Sequence, residues 1–75
     1  MQVKEFKRIR MKFGMTQDDF AELLGLAGKK TVSSIETGFR NPSQLTGIIL
    51  RVLDSLSERR AKELIELMQE QGKKQ

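Results

Sequence analysis

The 75-residue sequence predicts an all-α fold of five helices. Apolar residues recur every three or four positions along most of the chain, which is the spacing of amphipathic helices and not the alternation of strands. Glycine and hydroxyl residues, which commonly end and begin helices, separate these segments. Because no linker or internal repeat interrupts the pattern, we expect one domain over residues 1–71 and a frayed tail over 72–75.

The first two helices are predicted from the residues at their ends. The first stops at Gly14, since glycine readily adopts the left-handed conformation of a helix C-cap. The second follows Thr16, a favourable N-cap residue, has Asp18 and Asp19 in its first turn, and ends at Gly25. The inward apolar residues are Val3, Phe6, Ile9 and Phe13 in the first helix and Phe20, Ala21, Leu23 and Leu24 in the second.

The third helix is short and the fourth is strongly apolar. Val32 and Ile35 share one face of a predicted third helix over 31–37, and Gly38 follows as its stop. Pro42 suits the first turn of the fourth helix. A strong apolar stripe at helical spacing predicts that helix and comprises Leu45, Ile48, Ile49, Val52, Leu53 and Leu56.

Gly47 and the fifth helix complete the prediction. Glycine weakens a helix by about 1 kcal/mol relative to alanine, so we expect Gly47 to allow close approach of another backbone. The fifth helix is predicted over 57–71, with Ser57 as its N-cap or Ser55 in a capping box. Its shared apolar face comprises Ala61, Leu64, Ile65 and Met68.

The composition excludes several classes of site. The chain has no Cys and no His, so disulfides and the usual zinc sites are excluded, and we predict neither a metal nor a cofactor. We expect no enzymatic activity, since the chain also lacks a glycine-rich phosphate loop and an obvious catalytic constellation. No apolar run approaches the roughly 18 residues of a membrane span, and the N-terminus lacks a signal-peptide core, so a cytoplasmic location is predicted.

Positive charge is concentrated in two segments. The net charge is +4, with basic residues clustered in 1–13 and again in 29–41 around an acidic segment over 14–28. A surface of this kind suits nucleic acid, although many basic small domains have no such ligand. The cations of the first segment, Lys4, Lys7, Arg8 and Lys12, are expected to form a solvated face.

The stretch LGLAGKKTVSSIETG, residues 24–38, carries the most informative pattern. Gly25 permits a tight turn, small Ala21 permits close helix packing, and Val32 with Ile35 anchors the third helix. Its remaining side chains stay free to contact a ligand: Lys29, Lys30, Thr31, Ser33, Ser34 and Thr37. Long basic and short hydroxyl side chains suit phosphates and base edges, and the DNA major groove, about 12 Å wide, admits one helix.

Two segments carry a family resemblance. IRMKFGMTQDDFAELLGL followed by TVSSIETGFRNPS resembles the Cro/phage-repressor (Xre) type of helix-turn-helix protein over about Phe6 to Leu56. The resemblance implies a five-helix lambda-repressor-like domain that binds double-stranded DNA, with its helix-turn-helix at about 16–38. The turn GLAGKKT is one residue longer than the family's commonest form, which leaves the register of Lys29 and Lys30 open.

The resemblance also implies roles for matching positions. Arg10 and Glu36 would form a partly buried ion pair that ties the first helix to the third. Base contacts would come from Lys29, Lys30, Thr31, Ser33 and Ser34. Phosphate contacts would come from Thr16, Gln17, Thr37, Arg40 and Asn41, and Gln17 would also brace the third helix.

Three functions are compatible with these features. The first is a repressor or autoregulator that binds a palindromic operator as a homodimer, paired through the fourth and fifth helices with Leu64, Leu67 and Met68 as dimer candidates. The second is an antitoxin that represses its own operon and holds a toxin protein through the fifth helix or the tail. The third is a protein-interaction module with the same fold and no affinity for DNA.

Overall fold

Five α-helices with short connections make up the computed structural model, which describes residues 1–73. They are α1 (Val3–Lys12), α2 (Gln17–Leu24), α3 (Lys29–Glu36), α4 (Gln44–Ser55) and α5 (Glu58–Gly72). No strand occurs among residues 1–73, so the all-α prediction is confirmed. Gly72, predicted to begin the tail, still belongs to α5, and Lys74 and Gln75 lie outside the described residues.

Two phenylalanines lie at the centre of the core. Phe6 and Phe20 are fully buried, and their rings meet edge to face with centroids 5.0 Å apart at an interplanar angle of 71°. This arrangement is one that the quadrupoles of aromatic rings favour. Every helix contributes to the surrounding core, which comprises Ile9, Ala21, Leu23, Val32, Ile35, Leu50, Leu53, Ala61 and Ile65.

Side-chain caps fix the starts of three helices. Thr16, Ser43 and Ser57 each accept a hydrogen bond from the backbone N–H three residues further on, at the starts of α2, α4 and α5. The side chain of Asp19 also accepts from the N–H of Thr16, which completes a capping box. These bonds satisfy donors that the first turn of a helix leaves unpaired.

The third helix begins two residues earlier than predicted. It runs from Lys29 to Glu36, whereas residues 31–37 were expected, and Thr37 is its C-cap. The N-cap is Gly28, which has no side chain to mark it, and its carbonyl accepts the N–H of Thr31 at 3.0 Å. The two lysines therefore lie in the first turn of α3 and do not precede it.

The predicted position of Pro42 in the fourth helix is wrong. Ser43 is the N-cap and α4 begins at Gln44, so Pro42 lies before the helix. The hydroxyl of Ser43 accepts the N–H of Thr46 at 3.1 Å and donates to the Thr46 side chain at 2.9 Å. The start of α4 is thus set by the hydroxyl cap.

The apolar stripe of α4 is divided between the core and the surface. The buried residues of this helix are Thr46, Gly47, Leu50 and Leu53. Three residues of the predicted stripe are exposed: Leu45 by 65%, Ile48 by 51% and Val52 by 44%. The close backbone approach expected at Gly47 is wrong, because a Cβ on this residue would have the Met1 side chain as its nearest neighbour among residues 1–73, at 3.6 Å.

Two cations of the predicted solvated face join α1 to α4. Arg8 donates to both carboxylate oxygens of Asp54, at 3.2 and 2.9 Å, and the Lys12 Nζ lies 3.0 Å from Oδ1. Hydrogen bonds from Arg8 and then from Lys12 hold the pKa of Asp54 well below its usual range. The end of α4 is therefore fixed to α1 by charge as well as by packing.

No helix within residues 1–73 combines the length and the apolar character needed to cross a bilayer.

Candidate nucleic-acid interface

A tight turn joins α2 to α3. Gly25 adopts the left-handed conformation, with φ of +68°, and the N–H of Leu26 donates to the Ala21 carbonyl at 2.8 Å. This backbone geometry reverses the chain directly after α2. Ala21 is buried, and its small side chain lets α2 and α3 pack against one another.

The side chains of α3 divide into an inward and an outward set. Val32 and Ile35 are buried in the core and hold the helix in place. In the outward set, Lys29, Lys30 and Thr37 are exposed, and Thr31, Ser33 and Ser34 are half-buried. The Thr37 hydroxyl donates to the Ser33 carbonyl at 2.9 Å, so its proton is engaged within the helix itself.

The loop after α3 is held against the end of that helix. Gly38 has a φ of +88°, and the N–H groups of Phe39 and Arg40 both donate to the Ser34 carbonyl, at 2.9 and 3.2 Å. Arg40 and Asn41 are exposed beyond this anchor. Phe39 is 88% exposed in the same loop, and no pattern in the sequence singles it out.

One ion pair connects α1, α2 and α3. Arg10 Nε donates to Glu36 Oε2 at 2.7 Å, and Nη2 donates to Oε1 at 3.2 Å. The third donor, Nη1, lies 2.9 Å from the carbonyl oxygen of Met15, just before the N-cap of α2. The side chains of Arg10 and Glu36 are only 13% and 6% exposed, so water screens this pair weakly.

Gln17 is a third member of this network. Its Nε2 donates to Glu36 Oε1 at 3.2 Å, which is a contact between α2 and α3 of the kind expected of a residue that braces the third helix. An amide nitrogen carries two hydrogens, so the second N–H of Gln17 is still available to a ligand. The network therefore fixes the first turn of α2 relative to α3 and orients the Gln17 side chain.

The comparison with protein families decides what these helices are. A family model described as helix-turn-helix matches residues 6–52, which is more than half of the chain. The chain belongs to the Cro/C1-type helix-turn-helix family. Searches of curated proteins and of solved structures each found no match.

Membership confirms the predicted resemblance and the broad function. Cro/C1-type helix-turn-helix proteins are DNA-binding regulators of transcription and are typically not enzymes. The matched segment includes α2, the turn after it and α3. Within residues 1–73, no group of three carboxylates lies close enough to hold a metal ion.

Six of the ten predicted contact residues lie at two helix starts and in one loop, and the other four lie along α3 and at its C-cap. Thr16 and Gln17 begin α2, the two lysines begin α3, and Arg40 with Asn41 follows its C-terminus. The Thr16 Oγ1 accepts the N–H of Asp19 at 3.0 Å, which leaves its hydroxyl hydrogen free to donate elsewhere.

The three predicted dimer residues of α5 have different surroundings. Leu64 and Met68 pack partly against the chain's own core. Leu67 is 54% exposed, so it alone of the three lies mainly in solvent.

Proposed function

We propose that the protein is a sequence-specific transcriptional repressor that binds a palindromic operator in double-stranded DNA as a dimer. Each copy lays α3 in the major groove of one half-site and blocks the promoter by occupancy. The observation that carries this proposal is the outward side of α3, where two lysines and several hydroxyls surround a helix held by buried Val32 and Ile35. Such a repressor acts on DNA, so we also propose a cytoplasmic location.

The positions of side chains around α3 distinguish contacts at the centre of the groove from contacts at its flank. Residues four apart lie one above the other on a helix, so Lys30 and Ser34 form one row and Lys29 and Ser33 form another. At 100° per residue, the row of Lys30 and Ser34 lies opposite Val32. We therefore assign Lys30 and Ser34 to base edges at the centre of the groove and Lys29 to its flank.

The remaining contacts position the helix on the backbone. Gln17 offers its second amide hydrogen at the start of α2, and Arg40 and Asn41 are exposed in the loop after α3. Donors of these types contact phosphates in protein–DNA complexes, where they fix register and carry no direct sequence information. Thr37 contributes less, since its hydroxyl hydrogen is donated to the Ser33 carbonyl, whereas Thr16 keeps its hydroxyl hydrogen for a phosphate.

Selection of bound sequences from random duplexes tests the function directly. We expect an enriched palindrome whose half-site centres lie about one helical turn apart. The variant Lys30→Ala should lose about 1–3 kcal/mol of discrimination at one base pair of each half-site. Lys62→Ala, at an exposed lysine on α5, is the matched control and should bind as the wild type does.

Failure of the wild-type protein to enrich any duplex would overturn the proposal. It would favour the protein-interaction module, which keeps the fold without affinity for DNA. Equal loss of affinity for every sequence in Lys30→Ala would contradict the assignment of Lys30 to a base edge, because phosphate contacts weaken binding uniformly.

The exposed Leu67 favours an antitoxin as a second candidate function. This side chain offers an apolar contact on the surface of α5 through which a toxin could be held, while α3 represses the shared operon. The test is growth arrest by the product of the neighbouring gene. Rescue by the wild type and not by Leu67→Glu would support the antitoxin, and equal rescue by both would exclude Leu67 as the contact.

A further inference from the structure

One side of α4 is apolar and faces away from the core. Leu45, Ile48 and Val52 are three of the six large apolar side chains exposed within residues 1–73. Their spacing of three and four residues places them in one row along the helix. Ile49 and Leu56, which are partly buried, continue the apolar surface from this row to the core. We call Leu45, Ile48 and Val52 the α4 stripe.

We propose that the α4 stripe is the surface through which two copies of this chain pair. The pairing itself is independent of DNA, and only its role on an operator rests on the proposed function. The occupant we infer is a second copy, for three reasons that concern the pattern of the stripe, its charge and its size.

The pattern of the stripe is self-complementary. If two α4 helices cross antiparallel about a two-fold axis near Ile48 and Ile49, Leu45 lies beside the partner's Val52. Ile48 then meets the partner's Ile49. Each apolar side chain thus finds another, as an isologous contact between identical surfaces requires.

The charges of α4 permit this pairing. The stripe contains no ionisable residue, and its solvent-side neighbours are Gln44, Arg51 and Ser55, all exposed. The single carboxylate of α4, Asp54, is engaged by Arg8 and Lys12. Closing the contact therefore buries no unpaired charge, which would be costly.

The corresponding surface of α5 suits a symmetric contact less well. Leu67 is its one mainly exposed apolar side chain, and three exposed glutamates share that helix: Glu63, Glu66 and Glu70. Glu63 pairs with Arg59 at 3.7 Å. Closing a contact around Leu67 would take Glu66 and Glu70 partly out of water, which is costly without new partners.

The size of the stripe indicates a weak contact at the edge of the molecule. The Cα trace measures 31 × 28 × 21 Å, close to the roughly 34–36 Å that separates half-sites one helical turn apart. Two copies on such an operator are therefore near enough to touch only at their edges. The stripe has three residues, far fewer than the roughly 20–30 residues a side of a stable interface. We infer a largely monomeric chain in dilute solution that pairs on DNA, where adjacent half-sites raise the effective concentration.

Two matched variants test this assignment. Ile48→Glu and Leu67→Glu place the same charge at aliphatic residues of similar exposure, 51% and 54%, on α4 and α5. Binding is measured to a duplex with one half-site and to a duplex with two, and thermal melting shows that both variants fold. We expect all three proteins to bind one half-site equally. On two half-sites, Ile48→Glu alone should lose cooperativity and about 10²-fold in affinity.

Several outcomes would overturn the proposal. One is cooperative binding of Ile48→Glu to two half-sites as tight as that of the wild type, and another is loss of cooperativity in Leu67→Glu instead. If the wild type binds no DNA, the proposed function fails, and sedimentation equilibrium at high protein concentration decides the pairing alone. A wild-type dimer with a monomeric Ile48→Glu would support the α4 stripe, whereas two monomeric proteins would contradict it.

Discussion

A single guanidinium group, that of Arg10, donates two hydrogen bonds to Glu36 and one to the carbonyl of Met15. Replacing it with methionine leaves the buried carboxylate of Glu36 without its charged partner. We expect Arg10→Met to lower the free energy of unfolding by about 3–5 kcal/mol, measured by urea denaturation. Arg8→Met, in the same helix at an exposed ion pair, is the control and should change stability far less. Equal effects of the two substitutions would argue against a special role for burial.

Substitution by alanine should have opposite effects on stability at Gly47 and at Gly25. A Cβ at Gly47 would meet the Met1 side chain at an ordinary contact distance of 3.6 Å. Gly47→Ala should therefore stabilise the protein by up to about 1 kcal/mol through helix propensity. Gly25→Ala should destabilise it by about 1–2 kcal/mol, because φ is +68° there. Thermal melting of both variants measures the difference, and a lower melting temperature for Gly47→Ala would refute the first expectation.

Single residues were predictable where one local rule decides them. Thr16 was predicted as an N-cap from its residue type and its place before the acidic turn, and it caps α2. The resemblance implies that Gln17 braces the third helix but not that Glu36 is its partner, because these residues are 19 positions apart and belong to different helices. Their distance depends on how α2 crosses α3, which no local spacing determines. The same holds for Arg8 and Asp54, 46 positions apart.

At the scale of helices, the contact of α1 with the end of α4 predicts a dependence of stability on pH. Hydrogen bonds from Arg8 and Lys12 lower the pKa of Asp54 in the folded state, whereas the unfolded chain protonates this group near about 3.9. Between these two values the unfolded state binds more protons. The stabilisation is therefore present above about pH 4 and is lost as the pH falls towards the folded pKa.

The variant Asp54→Asn isolates this effect from other carboxylates. We expect it to be less stable than the wild type at neutral pH, with the difference in melting temperature shrinking as the pH falls below about 4. A protonated aspartic acid resembles asparagine, which is why the two proteins converge. A difference that stayed constant from about pH 7 to about pH 2 would show that the Asp54 charge contributes nothing.

The sequence predicts that a segment is helical more readily than it predicts where the helix starts or which of its sides is buried. The apolar spacing predicts α4 as a helix, yet it has apolar residues on two sides, and spacing alone does not say which side is buried. Phe6 and Phe20 occupy the core and Leu50 and Leu53 complete it, so Leu45, Ile48 and Val52 are left outside. The start of α3 was missed for a different reason, since Gly28 offers no capping side chain.

At the scale of the whole molecule, a net charge of +4 and a polyanionic ligand predict a strong dependence on salt. If Lys29 and Arg40 each contact a phosphate, DNA binding by a variant that lacks one of them releases one counterion fewer per half-site. Lys29→Ala should then reduce the slope of log K against log salt by about 0.9 on one half-site and about 1.8 on two. Titrations at several salt concentrations measure this slope, with Lys62→Ala as the control. An unchanged slope in Lys29→Ala would exclude that lysine from the backbone contacts.

The separation of the α3 side chains into an inward and an outward set affects how duplicated copies of the gene can diverge. Val32, Ile35 and Glu36 secure the helix from within, and none of them belongs to the outward row of Lys30 and Ser34. If α3 contacts the operator as proposed, then after duplication of the gene exchanges at a few outward positions would direct the two descendants to different promoters. Both descendants would retain the same scaffold and the same thermal tolerance.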